Sequence, residues 1–142
     1  MFPWSPLVFA IGMVVVCITA LVRGGWEEKV MGAIYLAACM ASLAVERRPW
    51  TGPQGAVIAI DGLVLIAALA VVVASHKLWP IVAAGFQVLT VGAHLAFLAA
   101  DGRLGAPGYL TVLALWSYGT VACLVWGAGS GLQLPAPLRR QI

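Results

Sequence analysis

Long apolar stretches alternate with short polar ones along the whole chain, and this alternation predicts membrane-spanning helices. A spanning helix needs about 20 mostly apolar residues. The stretches that reach or approach this length are residues 6–22, 30–45, 56–75, 78–100 and 108–127. The second stretch is short, and treating it as a re-entrant segment gives four spans as the alternative. We therefore expect an all-α bundle of five transmembrane helices, forming a single domain over residues 1–127.

The polar breaks between the stretches support these boundaries. The shortest break is His76-Lys77, so spans three and four are predicted to form a tight antiparallel hairpin. The segment 128–142 is rich in Gly and Pro and predicts a short tail outside the membrane. Indole rings favour the headgroup level of a bilayer, and five of the six tryptophans fall at predicted span ends, namely Trp4, Trp26, Trp50, Trp79 and Trp126.

Composition excludes several classes of protein. The chain of 142 residues is 63% apolar and 9% charged, with a mean hydropathy of +1.02, whereas a soluble domain carries about 25% charged residues. The net charge of +3 comes from scattered residues, so no basic stripe for nucleic acid is present. The three cysteines lie far apart in apolar runs and form no C-x-x-C pair, which predicts small buried residues rather than a zinc or redox site; they are Cys17, Cys39 and Cys123.

The distribution of Lys and Arg gives an orientation. With five spans, one side of the membrane carries Arg23, Lys29, Lys77, Arg139 and Arg140, and the other carries Arg47, Arg48 and Arg103. Cytoplasmic loops are enriched in Lys and Arg. The sequence therefore favours an outside N-terminus and a cytoplasmic C-terminus, and we expect a bacterial inner membrane. No basic residue precedes the first span, so that span is interpreted as a retained anchor rather than a cleaved signal.

Two ionisable residues lie well inside predicted spans, and such residues are functional candidates by default. Asp61 in span three and His94 in span four are equally far from the hairpin turn, so a contact between them is predicted. Span four carries a polar stripe formed by Gln87, Thr90, His94 and Asp101, and a polar stripe must face protein or water. Span five offers further partners. The predicted intramembrane polar cluster is Asp61, Gln87, Thr90, His94, Ser117 and Tyr118.

Three roles are open for this cluster: a structural clamp, a proton or substrate path, and ligation of a cofactor or pigment by His94. A haem between two histidines is excluded, because His76 and His94 lie about 27 Å apart along one helix. Asp61, His94 and Ser117 occur on three helices, but nothing in their spacing requires a catalytic triad. The sequence therefore predicts no enzyme activity, no cofactor and no metal site.

The leading functional hypothesis is a small non-catalytic accessory or assembly subunit of a membrane complex, or a homo-oligomer. Ala33, Ala37 and Ala41 recur at four-residue spacing on span two, and small residues let another helix approach closely. The expected partners are the lipid bilayer and another membrane protein or a second copy. The alternative is a small proton-linked transporter or channel using Asp61 and His94, and the second alternative is a cofactor- or pigment-binding subunit.

Overall fold

The computed structural model describes residues 5–46, 53–100 and 105–130. These residues form five α-helices and no strand, which confirms the predicted all-α fold. The helices are α1 (Ser5–Arg23), α2 (Trp26–Val45), α3 (Gly55–Ala74), α4 (Trp79–Ala99) and α5 (Ala106–Ser130). Trp4, Trp50, Asp101 and most of the predicted tail lie outside the described residues.

Four of the helices, α2 to α5, are long and apolar enough by length and composition to cross a membrane. The searched part of α1, Val8–Arg23, is apolar but shorter. The protein is therefore a helical membrane protein. The segment from residue 30 to 45, which was the doubtful span in the sequence, belongs to one of the four long helices.

Two helices extend beyond the predicted spans. Helix α2 begins at Trp26, not at residue 30, and carries Glu27 and Glu28 in its first turn. Carboxylates suit that position because the first turn of a helix presents unpaired N–H groups and a partial positive charge. Helix α5 continues to Ser130, so the first residues of the predicted tail, 128–130, are helical.

The helices form a closed ring. Each helix packs against the next one along the chain, α1 returns to α5, and α2 also contacts α5. The tight hairpin between α3 and α4 is confirmed, since only residues 75–78 separate the two helices. The buried core includes Cys17, Met31, Tyr35, Ala68, Trp79, Ala83, Cys123 and Leu124. Tyr35 carries the one buried side-chain oxygen or nitrogen without a hydrogen-bond partner in the described part of the chain.

Close contact between α4 and α5 depends on glycine. A Cβ added at Gly119 would lie 2.5 Å from Cε1 of the Phe86 ring. At Gly127 an added Cβ would lie 2.7 Å from the indole of Trp79. Because a membrane offers no hydrophobic driving force between helices, this close packing is a main source of attraction between them.

We predict that Gly119→Ala lowers the free energy of unfolding by about 1–3 kcal/mol, the usual cost of overpacking. The matched control is Gly85→Ala, because an added Cβ at Gly85 meets no atom within 4 Å. Unfolding in mixed micelles, titrated with a denaturing detergent, measures both values. Equal stability of the two variants would contradict the packing of Phe86 on α5.

Candidate functional site: two buried polar clusters

Four polar side chains from three helices meet near one end of the bundle, and we call them the Asp61 cluster: Asp61, Gln87, His94 and Tyr109. His94 Nε2 lies 2.8 Å from Asp61 Oδ2, and His94 Nδ1 lies 2.6 Å from Tyr109 Oη. Gln87 Nε2 donates to the Asp61 main-chain oxygen at 3.1 Å and to Asp61 Oδ1 at 3.3 Å. The cluster thus connects α3, α4 and α5.

The direction of these hydrogen bonds follows from the chemistry of the groups. An ionised carboxylate only accepts, so His94 Nε2 carries the proton that is donated to Asp61. In a neutral imidazole Nδ1 then accepts, and the Tyr109 hydroxyl donates to it. Both ring nitrogens of His94 are therefore used. The His94 residue is fully buried, while the Asp61 side chain is 25% exposed.

Helix geometry explains why these residues meet. Asp61 lies six residues after the start of α3, and His94 lies five residues before the end of α4. At 1.5 Å per residue they lie about 9 Å and about 7.5 Å from their helix ends. The contact between Asp61 and His94 that the sequence predicts is present in the structure. Counting depth from a tight turn was sufficient here because the hairpin holds both helices in register.

Three other residues of the predicted cluster make their hydrogen bonds or ring contacts with other groups. Thr90 is buried on the same helix but donates to the Phe86 carbonyl, and Ser117 donates to the Leu113 carbonyl. Tyr118 is 49% exposed and packs edge-on against Phe9, with ring centroids 4.8 Å apart. Placing Ser117 and Tyr118 in the cluster was therefore wrong, because they lie about 12 Å deeper along α5 than Tyr109.

The partner on α5 is Tyr109, which the sequence analysis did not identify. Tyr109 lies in the first turn of α5, is buried, and packs on Phe97 with ring centroids 4.5 Å apart. Residues on either side of one loop lie at similar depth. The same depth count, applied to the loop between α4 and α5, would have indicated Tyr109 as the residue level with His94.

A second cluster, which we call the Glu28 cluster, lies at the opposite end of the bundle: Glu27, Glu28, Ser75, Lys77 and Trp79. Lys77 Nζ lies 2.8 and 2.9 Å from the two carboxylate oxygens of Glu28 and 3.2 Å from Glu27 Oε2. Trp79 Nε1 donates to Glu28 Oε1 at 2.9 Å, and Ser75 Oγ donates to Glu27 Oε1 at 3.2 Å. These bonds attach the first turn of α2 to the α3–α4 hairpin.

The electrostatics of this cluster depend on Lys77. The Glu28 side chain is 1% exposed and the Lys77 side chain 18% exposed. Partial burial by itself lowers the pKa of Lys77, but hydrogen bonds to Glu28 and Glu27, together with their negative charges, raise the pKa more, so the net shift is upward. The cluster therefore favours the charged lysine, which a buried carboxylate requires.

Two glycines allow the chain to pass over this cluster. A Cβ added at Gly24 would collide with the Ala20 carbonyl and the Cβ of Glu28. At Gly25 an added Cβ would lie 2.9 Å from Glu28 Oε2 and 3.2 Å from Lys77 Nζ. The Gly24-Gly25 pair is thus the part of the α1–α2 turn that lies directly against the buried charges.

The predicted spans leave Glu27 and Glu28 in the polar break between spans one and two, whereas both lie in the first turn of α2 and are buried. Trp79, predicted to lie at the headgroup level at a span end, is 2% exposed. The available signal was the Trp-Glu-Glu sequence after two glycines, since acidic residues are typical of a first helical turn. Pairing these carboxylates with Lys77, 49 residues away, requires the tertiary structure.

Neither cluster resembles a metal centre. Within the described ranges, no group of three or more His, Cys, Asp or Glu side chains has the geometry to hold a metal ion. Ligation of a cofactor by His94 would require breaking its bond to Asp61 or to Tyr109. The two clusters hold charged and hydrogen-bonding groups at fixed positions near the two ends of the bundle.

Comparison with protein-family models, with curated proteins and with solved structures gave no match to this chain.

We predict that Tyr109→Phe lowers the free energy of unfolding by about 1–2 kcal/mol, because Nδ1 of the buried His94 loses its donor. Tyr118→Phe, the same change at an exposed tyrosine of the same helix, should alter stability by less than about 0.5 kcal/mol. Equilibrium unfolding in mixed micelles distinguishes them. A similar small loss for both would contradict the bond between Tyr109 and His94.

We predict that Lys77→Met lowers the free energy of unfolding by about 3 kcal/mol, since it leaves the Glu28 carboxylate buried without a cation. Combining it with Glu28→Gln should recover part of this loss, and Lys29→Met, at an exposed lysine of α2, serves as the matched control.

The ion pair between Lys77 and Glu28 also predicts that the stability of the protein depends on pH. Because the pKa of Lys77 is raised on folding, the stabilisation is complete below the pKa of an unfolded lysine, about 10.4, and is lost as the pH rises through the folded pKa. Stability measured between pH 8 and 11 should therefore fall at the alkaline end in the native protein and stay flatter in Lys77→Met. If the native protein and Lys77→Met lost the same stability at alkaline pH, a group other than Lys77 would be responsible for the loss.

Proposed function

We propose that the protein is a non-catalytic accessory or assembly subunit that acts through contacts of its helices with another membrane protein or a second copy of itself. The observation that supports this is the position of small residues on outward helix faces. Ala33 and Ala37 of α2 are exposed, and so are Gly85 and Gly92 of α4. An added Cβ at either glycine would meet no atom within 4 Å. Small residues on an outer face let a neighbouring helix approach closely.

The polar clusters support the same proposal. His94 bonds through both ring nitrogens, and both carboxylate oxygens of Glu28 are bonded to Lys77. Polar groups that satisfy one another in this way stabilise the arrangement of helices. The outer surface then remains for recognition, and it is formed mainly by apolar side chains such as Val8, Ile11, Leu63, Ile66, Val73 and Leu95.

The proposed location is a bacterial inner membrane, with the N-terminus outside and the C-terminus in the cytoplasm. The charge count along the chain supports this orientation. It places the Glu28 cluster at the cytoplasmic end of the bundle and the Asp61 cluster at the outer end.

A second candidate function is a small proton-linked transporter or channel. It is favoured by the continuous contact of Asp61, His94 and Tyr109, in which a partly exposed carboxylate lies next to a buried imidazole. All three residues lie within about 9 Å of the same end of their helices, so a path across the membrane needs further groups. A pigment-binding role through His94 is less favoured, because both of its ring nitrogens are bonded.

We predict that Ala37→Leu and Gly92→Leu reduce association, because each places a large side chain on an outward face. The matched control is Ala70→Leu, the same substitution on the exposed face of α3. Association is measured by counting fluorescently labelled copies in liposomes at several protein-to-lipid ratios, and by co-purification from the native membrane in mild detergent.

A strictly monomeric protein that co-purifies with no partner would overturn this proposal. Asp61→Asn separates the two candidate functions. An accessory subunit with this substitution should associate normally and lose only stability. A proton-linked transporter should lose pH-dependent flux in proteoliposomes while remaining folded.

A further inference from the structure

An open groove of about 350 Å³ lies between α1 and α5, at the end of the bundle that holds the Glu28 cluster. Its lining residues are Val16, Thr19, Arg23, Val125, Ala128 and Gly129. A second hollow of about 300 Å³ continues around α1, and Thr19 and Arg23 line both. Arg23, the last residue of α1, therefore lines both hollows.

The walls of the groove are apolar apart from two residues. Thr19 donates its hydroxyl to the Val15 carbonyl of its own helix at 2.8 Å, so this side chain is satisfied locally. Arg23 is the single charged residue among those that line the groove. The groove thus combines one cation, at the end of α1, with an otherwise largely apolar lining.

The charge of Arg23 has no counterpart in the described part of the chain. The nearest carboxylates in sequence are Glu27 and Glu28, and both are buried and paired with Lys77 at 2.8–3.2 Å. Arg23 is exposed and forms no ion pair with a described residue. Because no described carboxylate is bonded to Arg23, the guanidinium remains available to an anion from outside the protein.

We propose that this groove binds an anionic phospholipid, with its phosphate on Arg23 and an acyl chain along Val16 and Val125. The planar guanidinium offers parallel N–H donors that match phosphate oxygens. Seven residues separate Val16 from Arg23, which is about 10 Å of helix, long enough for the upper part of an acyl chain. The lysines and arginines counted for this side of the membrane place it in the cytoplasmic leaflet, where anionic lipids are concentrated.

Charge distinguishes the lipid from two other occupants. The segment 131–142 follows directly from α5, but it carries Arg139 and Arg140 and no acidic side chain. A second copy related by twofold symmetry would bring the same Arg23 surface against itself. The segment offers no acidic side chain to Arg23 and the twofold contact brings Arg23 towards its own copy, whereas an anionic headgroup neutralises the charge.

The test is a lipid titration of the purified full chain in neutral detergent, followed by native mass spectrometry. The probes are dioleoyl phosphatidylglycerol and dioleoyl phosphatidylcholine, which share acyl chains and differ in charge. We expect one phosphatidylglycerol to bind more tightly than phosphatidylcholine. Arg23→Gln should weaken phosphatidylglycerol binding about fivefold, since one basic residue near a lipid headgroup contributes about that factor.

Two further variants isolate the groove. Lys29→Gln removes an exposed cation from the same end of the bundle and outside the groove lining, and should leave phosphatidylglycerol binding unchanged. Gly129→Leu fills the groove while retaining Arg23, and an added Cβ at Gly129 meets no atom within 4 Å, so the fold is preserved. This variant should weaken binding of both lipids. Arg23→Lys, which keeps the charge, should retain most of the preference for phosphatidylglycerol.

Four results would overturn the proposal. Equal losses in Lys29→Gln and Arg23→Gln would indicate diffuse surface charge. Competition by glycerol 3-phosphate at the same concentration as the lipid would indicate a site for a free anion. Tighter lipid binding after deletion of residues 131–142 would indicate that this segment occupies the groove. Loss of a dimer in Gly129→Leu would indicate a second copy there.

Discussion

The arrangement of the bundle depends on the burial of Glu28 against Lys77. A carboxylate that is 1% exposed is strongly unfavourable without a cation and hydrogen-bond donors beside it, and both come from the α3–α4 hairpin. Helix α2 can therefore begin at Trp26 only if the hairpin turn lies over its first turn. Since apolar helices in a bilayer have little hydrophobic reason to prefer one neighbour or one register, this requirement selects among many arrangements of similar packing energy.

The Asp61 cluster restricts the arrangement of the helices at the other end of the bundle. It attaches α5 to the hairpin through Tyr109, and α3 to α4 through His94 and Gln87. The hairpin is thus held at its closed end by Glu28 and at its open end by Asp61. Between the two, Gly119 and Gly127 allow α5 to lie directly against Phe86 and Trp79 of α4. Polar contacts set the register, and close packing provides most of the contact area.

This division of roles underlies the proposed functions. Because the buried polar groups are mutually bonded, the proposed recognition uses the outer surface, in two forms. Small residues on α2 and α4 suit the approach of another helix, and the groove beside Arg23 suits a charged lipid. Both depend indirectly on the Glu28 cluster, which holds α2 in place and keeps the carboxylates of Glu27 and Glu28 bonded to Lys77.

The sequence by itself determined the class of protein, the number of helices and most of their boundaries, because apolar length and polar breaks are local properties. It also determined the Asp61–His94 contact, since a short turn between two helices leaves little freedom in their relative depth. Only the tertiary structure decided that Glu27 and Glu28 are buried, that Tyr109 rather than Ser117 or Tyr118 completes the Asp61 cluster, and that Ala33 and Ala37 face outward. Those outcomes depend on which helices become neighbours and how each is rotated, and in a uniformly apolar helix the rotation is specified by contacts with other helices rather than by its own sequence.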